Sequence, residues 1–405
     1  MKYGNFAFKL SIALTGAALL SACGGGGGDK GGSGSSGNPV QITVTPMSTS
    51  VTDIQVSNNA DGSTNYISYT YPSSDQIQIY DGVSNTSWCT PAICPNVCQP
   101  GALGRYASCH VYVNAKVTDY GNNISDNMTI TNGSTVHSFS IVNKGLLYAL
   151  DINGYVYAKT DNSSWSQMPS PPNITHHIHT IALDHNGVMF AGYDNYNHVW
   201  KLNVFDNVFE DLGVPNAAIT SVNALAFDAS GKLHVAGSGS NHIYAYDNGW
   251  SDEGSVNNGV TGINYLKFDN TGNTYIQGDT ATNHDAFKQV NGVWTNLGNP
   301  NANTAFTAFD VDGQGNVYGG VIGSGNMYLY AGGAWSNSGV IKDATSAPTA
   351  MKVLSNLNLF ASIGNDGDIY TRILGGGWNL DGSATGSTST VIGLSVGSQL
   401  TVTQD

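Results

Sequence analysis

Basic side chains are scarce in this chain. The 14 Lys and Arg stand against 28 Asp and Glu, a formal net charge of −14. A surface this acidic repels phosphate backbones, which argues against nucleic-acid binding. Charged residues make up only 10% of the chain, and hardly any window spaces its apolar residues at the helical period. Amphipathic helices are therefore not expected. After the first two dozen residues no apolar run is long enough to cross a bilayer as a helix. Motifs of common catalysts are missing as well. There is no Gly-x-Ser-x-Gly elbow, no His-Glu-x-x-His helix and no phosphate-cradling Gly-rich loop that leads into a helix. Cysteine is absent after Cys109, which excludes thiol chemistry in the C-terminal two thirds. No cofactor is implied.

What is present begins with an address. Lys2 and Lys9 frame a short positive region, and Leu10 to Leu20 is an apolar run too short to span a bilayer stably. It ends in Leu20-Ser21-Ala22-Cys23, which resembles the lipobox of bacterial lipoproteins. The resemblance implies a signal peptide over 1–22 and a lipidated Cys23 that anchors the chain in a membrane. Gly24 at the next position, in place of aspartate, favours the outer membrane by the same resemblance. Cys23 leads into a Gly/Ser-rich stretch to residue 39, the composition of a flexible tether. Removing Lys2 and Lys9 leaves 12 basic residues against 28 acidic ones, a net charge of −16 for the mature chain.

The other cysteines, Cys89, Cys94, Cys98 and Cys109, share one window with Pro91, Pro95 and Pro100. An even number in an exported chain reads as two disulfides with three possible connectivities. A zinc site using the neighbouring His110 is the alternative. Around this loop, Val111, Val113, Ala115 and Val117 alternate with Tyr112, Asn114, Lys116 and Thr118, the period of a half-buried strand. The segment from Val113 to Ser125 resembles the closing strands of bacterial Ig-like and fibronectin-like modules. This implies a small, disulfide-stapled Ig-like β-sandwich over 40–131.

Repeats occupy 134–405. Trp165, Phe209, Trp250, Trp294, Trp335 and Trp378 recur at intervals of 44, 41, 44, 41 and 43. Four units carry an Asp-x-x-Gly tetrad: Asp184 to Gly187, Asp228 to Gly231, Asp269 to Gly272 and Asp310 to Gly313. Aspartate can bond the backbone two residues on, and glycine accepts the positive φ that reverses the chain. A third strand in each unit bears an aromatic, from Tyr157 to Tyr370, followed by tight-turn pairs such as Asn248-Gly249. Each unit is thus four short antiparallel strands, too small to bury both faces alone, and stacking such sheets radially covers them. The expected fold is all-β, a six- or seven-bladed β-propeller behind the sandwich. The tail from Thr390 either completes a further blade with Met128 to Thr131 or zips the first one shut. The units resemble kelch-like and NHL-like propeller repeats, a likeness that implies no single function.

Candidate chemistry is sparse. The repeated Trp residues are expected between neighbouring sheets. His177 and His179 share a face of the strand that opens the second unit, toward the axis, with His176 on the other face. Counting five residues back from each tetrad gives Ser138, His179, Asn223, Asn264 and Ala305, a mostly polar ring for a ligand or water. No unit offers the further histidine a metal would need. Asp310, Asp312, Gln314 and Asn316 alternate oxygen ligands as calcium loops do, but without the closing Glu. The functional expectation is a lipid-anchored, non-enzymatic surface protein that recognises a protein or glycan partner. The alternatives are a glycan- or metabolite-processing enzyme sited at the channel, or a structural subunit of an envelope assembly.

Overall fold

The computed structural model describes residues 40–405 except 47–50, 59–64, 81–93, 105–106, 118–119, 133–134, 161–163, 169–176, 204–207, 257–258, 302–303, 344 and 387–388. The signal peptide, Cys23, the tether, Cys89 and His176 lie outside these residues.

Each repeat is organised by its turn. Asp184 Oδ1 accepts from the backbone N–H groups of Asn186 and Val188, both at 2.9 Å. Asp228 and Asp269 hold their turns in the same way, and Gly187, Gly231 and Gly272 adopt positive φ. The fourth unit departs from the expected register. There Asp312 accepts from Gln314 and Asn316 N–H, and Gly315 takes the positive φ of 84°. Asp310 to Gly313 is therefore not the turn. Asp310 belongs to the preceding strand.

The described residues form strands and no helix. Ile178–Leu183 pairs with Met189–Tyr193, then Tyr196–Asn203, then Val208–Asp211. Four further sheets repeat this order, opening with Ser221–Phe227, Val260–Phe268, Phe306–Val311 and Pro348–Val353. These opening strands pack against one another in succession, and the first and last both meet the C-terminal strand Val391–Gln404. The succession closes a ring, the arrangement of a β-propeller. Side chains seal the gaps between sheets: Trp250 Nε1 donates to Leu212 O at 3.0 Å, and Trp335 Nε1 to Leu297 O at 2.9 Å, each a carbonyl in the preceding unit.

Val391–Gln404 has two tasks because its partner Thr135–Asp151 is long. The two run antiparallel from Val391↔Asp151 to Gln404↔Phe139. On its other edge the long strand pairs with Val156–Thr160 near Leu146–Leu150, and with Asn123–Asn132 over residues 135–144. The first half of the C-terminal strand is thus the inner strand of a set completed by Val156–Thr160 and Ser166–Gln167. Its second half belongs to a sheet with Asn123–Asn132, Asn65–Thr70 and Gly101–Leu103. The segment Met128 to Thr131 joins this second sheet, not the ring.

That sheet shares a core with a second one, Val40–Pro46, Val51–Asn58, Ser108–Ala115 and Ile77–Ile79. Ile54, Val111, Val113, Met128, Ile141 and Leu400 meet in it. The boundary expected between 131 and 134 lies between Asn123–Asn132 and Thr135–Asp151, which pair in one sheet. Ser108–Ala115 is buried on both faces from Val111 onward, not half-buried. Its second face, with Tyr112, packs with Phe190, Leu225 and Tyr244 of the ring. The contact lies at the end of the ring that carries the Asp-x-x-Gly turns: Val117 N–H donates to His185 O at 2.8 Å, and Tyr120 meets Phe360 edge-on.

Cys98 and Cys109 form a disulfide, and Cys94 is disulfide-bonded as well. Oxidised sulfurs are not thiolate ligands, so the zinc alternative fails. His110 instead places Nδ1 2.9 Å from Asp53.

Candidate functional site

Every opening strand of the ring carries an irregularity at the same place, and Val260–Phe268 has a second between Val260 and Gly262. The shared slip in register against the second strand falls between Ile178 and Thr180, Val222 and Ala224, Ile263 and Tyr265, Phe306 and Ala308, Pro348 and Ala350, and Val391 and Gly393. A bulge leaves one residue unpaired and re-aims its side chain. The residues so released are His179, Asn223, Asn264, Thr307, Thr349 and Ile392. All of them line a single axial cavity of about 360 Å³.

The residues counted back from the turns fall in different places. His179, Asn223 and Asn264 stand together. Thr307 replaces Ala305, because the turn of that unit begins at Asp312. Ser138 pairs with Thr129 outside the ring, and Ile392 of the C-terminal strand fills the place expected for it. His177 does not join His179, because the bulge breaks the alternation between them. Its ring is exposed and bonds Asn153 O through Nδ1 at 2.8 Å. Thr307 and Thr349 were missed. Five residues back from Asp312 and from Leu354, the residue that opens the last turn, would have found both.

The amides form a directed chain that starts from Asp279, at the turn between the second and third strands of its sheet. Asp279 accepts from His284 Nδ1 at 2.7 Å, Gln277 Nε2 at 3.0 Å and Asn264 Nδ2 at 2.8 Å. A carboxylate only accepts, so Asn264 must turn its NH2 toward it and its oxygen away. That oxygen takes a bond from Asn223 Nδ2 at 3.1 Å, and the same NH2 donates to Ser238 Oγ at 2.8 Å. Asn223 Oδ1 is the end of the chain, and among the described residues nothing donates to it.

Charge at the cavity is compensated in part. Burial alone would raise the Asp279 carboxyl, but its bonds from His284, Asn264 and Gln277 outweigh this and hold it below the ordinary range. Desolvation by the surrounding strands lowers the His179 imidazole despite the opposing Asp194, although the side chain keeps an exposed edge. Burial, then Asp279, raises the Tyr265 hydroxyl. At the sandwich end Lys267 is drawn to Asp310 Oδ1 at 3.3 Å, and Asp310 Oδ2 lies 3.0 Å from Lys352 Nζ. Between these, the Thr307 and Thr349 hydroxyls are buried without a hydrogen-bond partner among the described residues. The lining also includes apolar residues from each inner strand, Ile181, Leu225, Leu266, Phe309, Met351 and Leu394, besides Ile392.

The residues of the calcium reading are engaged within the protein. Asp310 is clamped by two lysines, and Asp312 is spent on its own turn and on Asn316 Nδ2 at 2.8 Å. Among the described residues no group of three or more His, Cys, Asp or Glu is placed to hold a metal. The same residues include no helix long and apolar enough to cross a membrane.

No family profile matches the chain, and no curated protein matches it. Among solved structures, a catalytically inactive virginiamycin B lyase from Staphylococcus aureus with quinupristin is 10% identical, with a TM-score of 0.48. The match covers 70% of this chain and 93% of that one. An extracellular domain from B. thetaiotaomicron is 13% identical, with a TM-score of 0.42, over 64% of this chain and 38% of that one. Likeness at this level carries no argument about activity.

Proposed function

We propose that this chain is an exported, lipid-anchored recognition protein of the bacterial outer membrane, whose propeller takes its ligand in the axial cavity. In this reading Cys23 carries the lipid and the Gly/Ser tether spaces the body from the membrane. An Ig-like sandwich forms the base, and a six-bladed propeller is zipped shut by its C-terminal strand. The partner is a protein or glycan group that reaches the cavity, and nucleic acid is disfavoured by the acidic surface.

The repeated bulge carries the reading. A ring needs only paired strands to close, yet all its inner strands give up one pairing at the same level and aim a side chain at the axis. Bulges next to functional sites are used in this way. The test compares the mature protein with Thr349→Trp, which fills the cavity, on a glycan array and a metabolite panel. Ligands held by the former and lost by the latter support the reading. Ligands held equally by both would place recognition elsewhere.

One observation favours an enzyme as a second reading. His284 is fixed through Nδ1 by Asp279 and its side chain is 36% exposed, the arrangement that orients an imidazole for proton transfer. Turnover of a panel compound that His284→Ala abolishes would favour it.

A further inference from the structure

We infer that the axial cavity selects a neutral, hydroxyl-rich ring of about monosaccharide size. The ring donates one hydroxyl to Asn223 Oδ1 and lays a C–H face on Ile392, Leu394 and Met351. This rests on the cavity being the ligand site.

The selection follows from what the cavity offers and what it lacks. Its one charged lining side chain is Lys267, which shares the Asp310 carboxylate with Lys352, so the surplus positive charge is spread over a partly exposed cluster. Asp279 accepts from three donors, and desolvation shifts His179 toward its uncharged form. An ammonium brought into the cavity would lose water without meeting a counter-charge, and an anion would meet only an ammonium already tied to Asp310, so either is costly. The vacant polar groups are of another kind. Asn223 Oδ1 can only accept, and its orientation is not free: Ile263 O at 3.4 Å and Asn264 Oδ1 at 3.1 Å both require the NH2 on the other side. The two threonine hydroxyls can each donate or accept. Ligand hydroxyls satisfy both kinds of group, whereas a carbonyl-only ligand leaves Asn223 Oδ1 unpaired.

The lining is also layered. His179, Asn223, Asn264, Thr307 and Thr349 come from five consecutive inner strands, and two residues on along each inner strand the lining includes Ile181, Leu225, Leu266, Phe309, Met351 and Leu394. A mostly polar layer beside an apolar one matches a saturated ring whose hydroxyls lie on its edge and whose C–H bonds lie on its face. About 360 Å³ is near the lower bound of small-molecule sites, room for one such ring.

The experiment is titration calorimetry on the mature protein. The neutral probes are the methyl pyranosides of glucose, galactose, mannose and N-acetylglucosamine, together with myo-inositol. The counter-probes are glucuronate, glucosamine and cyclohexanol. At least one neutral probe is expected to bind, to be blocked by Thr349→Trp, and to weaken about 3- to 10-fold with Asn223→Leu, the loss of one neutral hydrogen bond. Thr307→Val, at a second position and nearly isosteric, should weaken it by a similar factor, and thermal melts confirm that each variant is folded. If only charged probes or cyclohexanol are blocked by Thr349→Trp, the class is wrong while the cavity site stands. The class is also wrong if Asn223→Leu and Thr307→Val leave pyranoside binding unchanged. If Thr349→Trp blocks none of the probes, and nothing on the array or metabolite panel either, the site and the class fall together.

Discussion

Asp310→Leu should destabilise the ring by about 3 kcal/mol, the lower part of the range for breaking a buried ion pair by removing one partner. Asp310 is 1% exposed, and its Oδ2 also accepts from Val353 N–H at 2.7 Å. Its removal leaves two ammonium groups on the inner strands to either side, and an amide without an acceptor. Lys267 and Lys352 keep side-chain exposures of 28% and 21%, so water recovers part of the loss, which is why the lower figure is expected. Converting the whole cluster, Lys267→Met with Asp310→Leu and Lys352→Met, removes every charge and should return stability to within about 1 kcal/mol of the parent.

The pH dependence has a definite sign. Burial would raise the Asp310 carboxyl, but Lys267, Lys352 and the Val353 N–H together hold it below its ordinary value. A carboxyl with a depressed folded-state pKa stabilises fully above its unfolded value of about 3.9, and this is lost as pH falls through the folded value. In urea denaturation the gap between parent and Asp310→Leu should therefore be constant from about pH 7 to 5 and narrow below about 3.9. A triple variant as unstable as Asp310→Leu, or a single variant within about 0.5 kcal/mol of the parent, would refute the reasoning.

Other outcomes follow from the same contacts. Replacing Cys98 and Cys109 by serine opens a loop with a sequence separation of 11 and should cost about 3 kcal/mol, read from denaturation with and without reductant. Gly397→Val should spring the C-terminal strand, because a Cβ there would lie 2.4 Å from the Tyr148 ring. Early proteolysis after residue 390 is the signature, and an intact tail would count against it. Trp250→Phe removes the bond to Leu212 O and should lower stability by about 0.5–1.5 kcal/mol, read from the urea midpoint. Asp279→Asn can turn an NH2 toward Asn264 and upset the amide chain. Ligand affinity should then fall several-fold while the melting temperature moves little.

Much of the fold is written locally. The all-β class, the Trp-marked period, the Asp-x-x-Gly turns and the cysteine window depend on side chains acting on their own backbone or a near neighbour, so a reading of the chain alone reaches them. His179, Asn223 and Asn264 were reachable for the same reason, as a fixed count back from a turn. The count failed where the local signal is double. Asp310 to Gly313 and Asp312 to Gly315 both spell Asp-x-x-Gly, and only the hydrogen bonds to Gln314 and Asn316 choose between them.

What the tertiary structure alone decided is non-local. A bulge is a mismatch between two strands and belongs to neither sequence, so the separation of His177 from His179 could not be read along one chain segment. The closing of the ring joins Val391 to Asp151, 240 residues apart, and thereby puts Ile392 where Ser138 had been expected. Charge pairing is of the same kind. Whether Asp310 binds calcium or two lysines depends on which strands lie beside it, because the field at a carboxylate is set by its neighbours in space.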